Sequence, residues 1–259
     1  MKKTASLSLL AFSLIFLFTN LSSAQSKNPN GWDILGVRID STVKDATAAL
    51  KAKIPNLVIS ERSGALRSGN FQSPRLLFGL VGNSPQRDEH KVYQDEITLV
   101  CDQVSPNKII SISRHSRFAD DNMPSYDIVL KALAEKYGEP DIESEGQFYW
   151  FRNTSEKNKN SRKLEYISSY LPGIASSEMA VGIFGRKPGD IDKDCGTFVY
   201  YRIARSLSNR NLVNLIHCDL IDSVRLYNSY EYINKFMRDG AEGVAAKEKA
   251  RGDQLKPKF

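Results

Sequence analysis

"DILGVRIDSTVKDATAALKAKIP", residues 33–55, decides how the rest of the chain is read. Thr42 precedes an apolar-periodic run and Asp45 stands three positions on, the spacing of a capping box that satisfies the first free N–H groups of a helix. Val43, Ala46, Ala49, Leu50 and Ile54 recur at helical spacing, and Pro55 ends the run. The stretch therefore predicts a helix. Strand-like runs follow it: "SPRLLFGLVG" (73–82), "DEITLVCDQ" (95–103) and "KIISISRHSRF" (108–118). The last two are joined by "VSPN" (104–107), whose Pro-Asn is a turn signal.

The pattern then starts again. "MPSYDIVLKALAEKYGEP" (123–140) offers Ser125 as N-cap, an apolar face of Ile128, Val129, Leu133 and Tyr137, and Gly138 at the stop with Pro140 beyond. Five strand-like runs come after it: "GQFYWFRN" (146–153), "KLEYISSYL" (163–171), "SEMAVGIFG" (177–185), "GTFVYYRIARS" (196–206) and "NLVNLIHCDLI" (211–221). A third helix over 223–237 carries Leu226, Tyr230, Ile233 and Met237 as its stripe. The expected fold class is α+β: two helix-then-antiparallel-sheet units, 32–122 and 123–238, with a closing C-terminal helix. Residues 239–259 lose the apolar face and read as a flexible tail.

The first residues read differently. "MKKT" is positive, "ASLSLLAFSLIFLF" is an apolar run of about fourteen residues, and "TNLSSA" ends in small residues. That is a signal peptide over 1–24 with a short leader over 25–31, and the apolar run falls short of the roughly 20 residues that span a bilayer. An exported chain, periplasmic or secreted, with no transmembrane segment after cleavage is expected. Loss of Lys2 and Lys3 lowers the formal charge from +6 to +4. The basic residues are scattered, with Arg114, Arg117, Arg202, Arg205 and Arg210 the nearest thing to a patch. No nucleic-acid partner follows from that pattern; a weak contact with an anionic envelope surface remains open.

The opening helix resembles that of BamE-like (SmpA/OmlA) modules, in which a short "LG-x-R/K" lead-in precedes a capped helix and a β-meander. "VLKALAEKYGEP" (129–140) is similar to the second helix of exported bacterial proteins built from such modules, and "DCGTFVYYRI" with "NLIHCDLID" to their closing strands. Ile39-Asp40 stands where these modules carry Gly-Met, and the chain has no lipid-anchor cysteine. The resemblance implies a protein that acts by binding other proteins.

"NLIHCDLID" (214–222) spells the residue types of a cysteine hydrolase. Side chains alternate along a strand, so Leu212, Ile216, Cys218 and Leu220 should share one face and Val213, Leu215, His217 and Asp219 the other. His217 then points away from Cys218. By the same alternation His115, Ser113 and Arg117 share a face opposite Ile110, Ile112 and Phe118. No metal, dinucleotide or phosphate-binding spacing occurs, so neither cofactor nor metal is expected, and no catalytic residue is assigned. Three cysteines in an exported chain suggest one disulfide. Cys195–Cys218 is the closest pair in sequence, yet a symmetric hairpin around "LSNR" would place Cys218 opposite Val199, too far from Cys195 without a shifted register. Pairings through Cys101 and three buried free thiols stay open.

These observations point to a non-catalytic exported protein that binds a partner protein through aromatics and arginines. The candidate surface is Tyr149, Trp150, Tyr200, Tyr201, Arg202 and Arg205, with only one of the pairs Tyr149/Phe151 and Phe148/Trp150 able to face outward. A secreted cysteine-dependent hydrolase and an envelope-surface protein are the alternatives.

Overall fold

The first helix forms where its capping residues place it. In the computed structural model, which describes residues 31–84, 92–152 and 196–254, α1 spans Val43–Lys53. Thr42 Oγ1 accepts the Asp45 N–H at 3.1 Å and donates to the Asp45 carboxylate at 2.7 Å. The second helix, α2, spans Tyr126–Tyr137 and ends at Gly138 with φ +79°, a backbone angle that glycine adopts without steric cost. Ser125 holds the N-cap position but makes no side-chain cap bond.

The strands are β1 (Val58–Gly64), β2 (Arg67–Ser68), β3 (Phe71–Gln72), β4 (Leu76–Asn83), β5 (Val92–Cys101), β6 (Ile109–Phe118), β7 (Ile142–Ser144), β8 (Gln147–Arg152), β9 (Thr197–Arg205) and β10 (Val213–Asp222). The third helix, α3, spans Ser223–Gln254. The fold is α+β as expected, but its two units do not keep separate sheets. β6 and β10 pair antiparallel, giving one eight-stranded sheet in the order β1-β4-β5-β6-β10-β9-β8-β7. The pairing has a plain cause: two meanders standing apart would each expose an apolar edge strand, and joining them satisfies both rows of backbone groups.

The two halves repeat each other at the backbone. The first residue of each helix donates to the turn between the last two strands of its half, Val43 to Asn107 and Tyr126 to Asn211, both at 2.9 Å. The bridges Thr42–Lys108 and Ser125–Leu212 match in the same way. Each final strand carries one extra residue at the same point: Cys101 and Val100 face Ile109 and Ser111, and Arg205 and Ala204 face Val213 and Leu215. Five residues beyond Ile109 is Arg114, and five beyond Val213 is Cys218; these two lie directly opposite one another. An approximate two-fold axis therefore passes through the sheet between Arg114 and Cys218, with Lys53 and Lys136 at matching ends of α1 and α2.

Those bulges correct the expected strand faces. A bulge resets the alternation behind it. Val213 packs with Cys218 and Leu220 rather than with His217, and Ile110 lies across the sheet from Ile112.

Both faces of the sheet are covered. α1 and α2 lie on one side over Leu99, Ile112, Phe148, Trp150, Val199 and Leu220. On the other side Leu226 of α3 packs with Tyr149, Phe151, Phe198, Tyr200 and Ile221. Farther along, Tyr230 and Ile233 join Phe78 and Leu66. Burial of a Leu or Ile side chain contributes about 1.5–3 kcal/mol, so this stripe anchors the helix. The helix then continues to Gln254 where a flexible tail was expected. Gly240 passes against the Phe71 ring, and Glu248 accepts a 2.8 Å hydrogen bond from Asn70. No helix among the described residues is long and apolar enough to cross a membrane. The signal-peptide segment, the expected strands at 163–171 and 177–185, and Cys195 lie outside the described residues.

Candidate functional site

A cleft of about 470 Å³ lies between α2 and the 33–36 turn that precedes α1. Ile128, Val129, Ala132, Leu133 and Lys136 of α2 form one wall. Asp33 to Gly36 and Lys53 form the other, with Arg114, Tyr201, Ile216 and Cys218 as the floor. The floor residues come from the three central strands, so the cleft sits over the approximate two-fold axis. Ile128 is 66 % exposed at its rim.

Local sequence explains each wall. Asp33 accepts the Gly36 N–H on its side chain at 2.8 Å, and an Ile34–Val37 bridge closes the turn. Leu35 and Gly36 both take positive φ, 55° and 80°, so the turn is tight. It is tied to α2 from the other side: Lys136 Nζ donates to the Asp33 carbonyl at 2.8 Å and to its carboxylate at 3.1 Å, and the Tyr137 hydroxyl donates to the same carbonyl at 2.9 Å. Tyr137 and Tyr201 hydroxyls lie 3.2 Å apart. Since Tyr137 gives its proton to Asp33, Tyr201 is the donor between them.

Arg114 and Asp95 meet diagonally across adjacent strands, Asp95 lying opposite Ser116 and Arg114 opposite Ile97. The guanidinium makes bonds of 2.9, 3.2 and 2.6 Å to the carboxylate, and Ser116 adds another at 3.1 Å. The Arg114 side chain is 27 % exposed and Asp95 4 %. Burial alone would lower the Arg114 pKa, but the Asp95 carboxylate outweighs it and holds the guanidinium firmly charged. Burial pushes the Cys218 thiol up to about 12, with Arg114 acting weakly against it. That sulfur is a protonated core group at neutral pH.

His217 lies on the opposite side of the sheet, where its Nε2 sits 2.9 Å from Asp219 Oδ2. His115 is its direct cross-strand neighbour, ring centroids 5.9 Å apart. Burial and the nearness of His217 push His115 below its usual pKa. The alternation read from the sequence holds here: His217 and Cys218 lie on opposite faces of the sheet and do not meet. Among the described residues no three His, Cys, Asp or Glu side chains converge as metal ligands.

The expected interaction surface divides. Tyr149, Trp150 and Tyr200 are buried, because α2 covers one face of β8 and β9 and α3 the other; the expectation that one aromatic pair faces outward is thereby corrected. Trp150 Nε1 donates to the Gly138 carbonyl at 2.9 Å. Tyr201 reaches the cleft floor beside Cys218. Arg202 is exposed and paired across strands with His217. Arg205 is exposed and lies 3.6 Å above the Tyr126 ring. Arg114 and Arg117 fall on opposite faces, so the scattered arginines do not form one patch.

The expected Cys195–Cys218 disulfide is not found. Among the described residues Cys101 and Cys218 are buried free thiols. In the observed register Cys218 faces Tyr201 rather than the expected Val199, and Cys195 lies outside the described residues.

Asp95, Lys53, Lys136 and the α2 wall were not identified from sequence as a site. One signal was available. Arg114 occupies a strand position that shares its face with Ile112 and Phe118, and a charge on an inward face marks either a buried pair or a pocket. No family model matches the chain, and no match was found among curated proteins or among solved structures.

Proposed function

We propose that this chain is a non-catalytic exported protein that acts by binding, with the cleft between α2 and the 33–36 turn as its binding site. The cleft itself carries the reading. It has apolar walls and a few convergent polar groups, the usual make-up of a ligand site. Its cysteine, Cys218, is a protonated thiol, and no histidine lines the cleft among the described residues, which argues against thiol chemistry there. The residues that sequence reading offered for a protein interface are mostly spent on packing, so the cleft takes their place. Export is supported by the segment 1–24, and the likeness to BamE-like modules agrees with a binding role.

The test is native mass spectrometry of the exported protein recovered from cells. A non-covalent adduct of small-molecule mass should accompany the wild-type chain and be absent from Ala132→Trp, whose indole fills the cleft from an exposed helix position. A chain that carries no adduct and gains no thermal stability from any small amphiphile would sink the reading.

A further inference from the structure

The lining of the cleft says what class of molecule it suits. Three cations border it, Lys53, Arg114 and Lys136. Asp33 neutralises Lys136 and Asp95 neutralises Arg114, while Lys53 has no acidic partner among the described residues. The balance is one uncompensated positive charge on a groove that also presents seven apolar side chains: Ile34, Leu35, Ile128, Val129, Ala132, Leu133 and Ile216. Asp95 engages Nε and Nη2 of Arg114. Nη1 has no partner among the described residues, although guanidinium N–H groups suit carboxylates.

We infer that the cleft binds a small amphipathic monocarboxylate, its carboxylate held between Lys53 and Arg114 and its hydrocarbon body laid along α2. This rests on the reading of the cleft as the binding site. Three features select the class. An apolar body is needed to displace water from the α2 wall and cover the exposed Ile128. A single negative charge matches the single surplus cation. A cationic head would meet Lys53 and the free Nη1 edge of Arg114, and a neutral head would leave the Lys53 charge unanswered. The cavity, at about 470 Å³, falls within the usual small-ligand range of roughly 300–1,000 Å³.

Calorimetric titration of the whole exported chain with three ligands of equal chain length tests this: decanoate, decanol and decyltrimethylammonium. Decanoate should bind at least ten-fold more tightly than decanol, and the ammonium should bind least. Raising the salt should narrow the gap, because Lys53 is solvent-exposed. Lys53→Gln should weaken decanoate about three-fold and leave decanol unchanged. The paired variant Arg114→Gln with Asp95→Asn removes the second contact without stranding a buried charge, and should reduce the preference for decanoate to about the three-fold that Lys53 supplies. Ala132→Trp should abolish binding of all three.

The outcomes separate cleanly. If decanol and decanoate bind alike and Ala132→Trp blocks both, the anion class is wrong while the cleft remains the site. If decanoate binding survives Ala132→Trp, the ligand sits elsewhere and both readings fall. Binding of none of the three by the wild type also overturns the inference.

Discussion

On the side of the sheet that carries α1 and α2, the polar groups of the cleft floor are hydrogen-bonded and still border open space. On the side that carries α3, Asp219 is wholly buried, and its Oδ1 has no partner among the described residues. The same ten-residue strand, β10, supplies both environments through alternate side chains. Polar groups beside a cavity can offer a ligand whatever donors the protein leaves over. Polar groups sealed under a helix can only be satisfied internally, and each one missed costs about 1–3 kcal/mol. One face thus keeps a cleft over its polar groups, and the other is sealed under a helix.

That contrast can be broken first by asking whether both faces are core. Trp150→Ala on the cleft side and Phe198→Ala on the α3 side should each lower unfolding stability by about 3–5 kcal/mol, read by urea denaturation. A loss below about 1 kcal/mol in either variant would mean that its face is open to water.

The polar pairs come next. Asp95→Ala strands Arg114 and should cost about 3 kcal/mol, at the low end for breaking a buried pair because the arginine is partly exposed. Asp219→Asn keeps an oxygen for His217 and should cost no more than about 1 kcal/mol. Equal effects in the two variants would erase the distinction between the faces.

The attachment of α3 can be tested at two glycines. A Cβ at Gly240 would meet the Phe71 ring at 2.4 Å, whereas at Gly243 it would meet nothing within 4 Å. Gly240→Ala should therefore cost about 1–2 kcal/mol as the helix shifts off the β2–β3 hairpin. Gly243→Ala should add up to about 1 kcal/mol through helix propensity. If both stabilise, the far half of α3 does not dock on Phe71.

Acid should loosen the same helix. Asp102 accepts from Ser229 at 2.6 Å and from Arg225 at 2.8 Å, and Arg225 also bonds Asp40. Burial alone would raise the Asp102 pKa, but the Ser229 and Arg225 bonds overcome it and hold it below the ordinary value of 3.8. A carboxyl lowered in the folded state contributes stability that is complete above its unfolded pKa, about 4, and is lost as pH falls further. Amide protection factors at 223–237 should fall below about pH 4 in the wild type, and Asp102→Asn should remove that pH dependence.

The smallest effect concerns Cys218. With its sulfur buried and its pKa near 12, it should resist iodoacetamide at neutral pH until denaturant is added. Rapid native alkylation would place it in open solvent and undo the description of the cleft floor.

Much of this fold was legible in the chain. The Thr42–Asp45 box and the Gly138 stop set two helices by local chemistry, and alternation in "NLIHCDLID" correctly separated Cys218 from His217. What escaped was non-local. No residue in β6 or β10 announces that the two would pair across about a hundred positions, so one sheet was read as two. The extra residue at Ile110 or Asn214 leaves no mark in composition, yet it reverses which neighbours share a face. Aromatics such as Tyr149 and Trp150 suit a core and an interface equally, and only the helices on both sides decide between them. The short strands β2, β3 and β7 carry too few residues for a period to show. The cleft was the least legible part, since its lining comes from six segments and its volume belongs to none of them.

The axis between Arg114 and Cys218 has one more consequence. In a symmetric pair of separate chains, the residue on the two-fold faces its own copy. Two arginines there would repel, and two cysteines would place thiol against thiol. Carrying both halves on one polypeptide lifts that restriction at the single point where symmetry would enforce it. The centre of this protein can therefore be lopsided, charged on one side and apolar on the other, while the frame around it stays the same twice over. A molecule lying across that centre has a head end and a tail end defined by the protein, which two identical subunits could not provide.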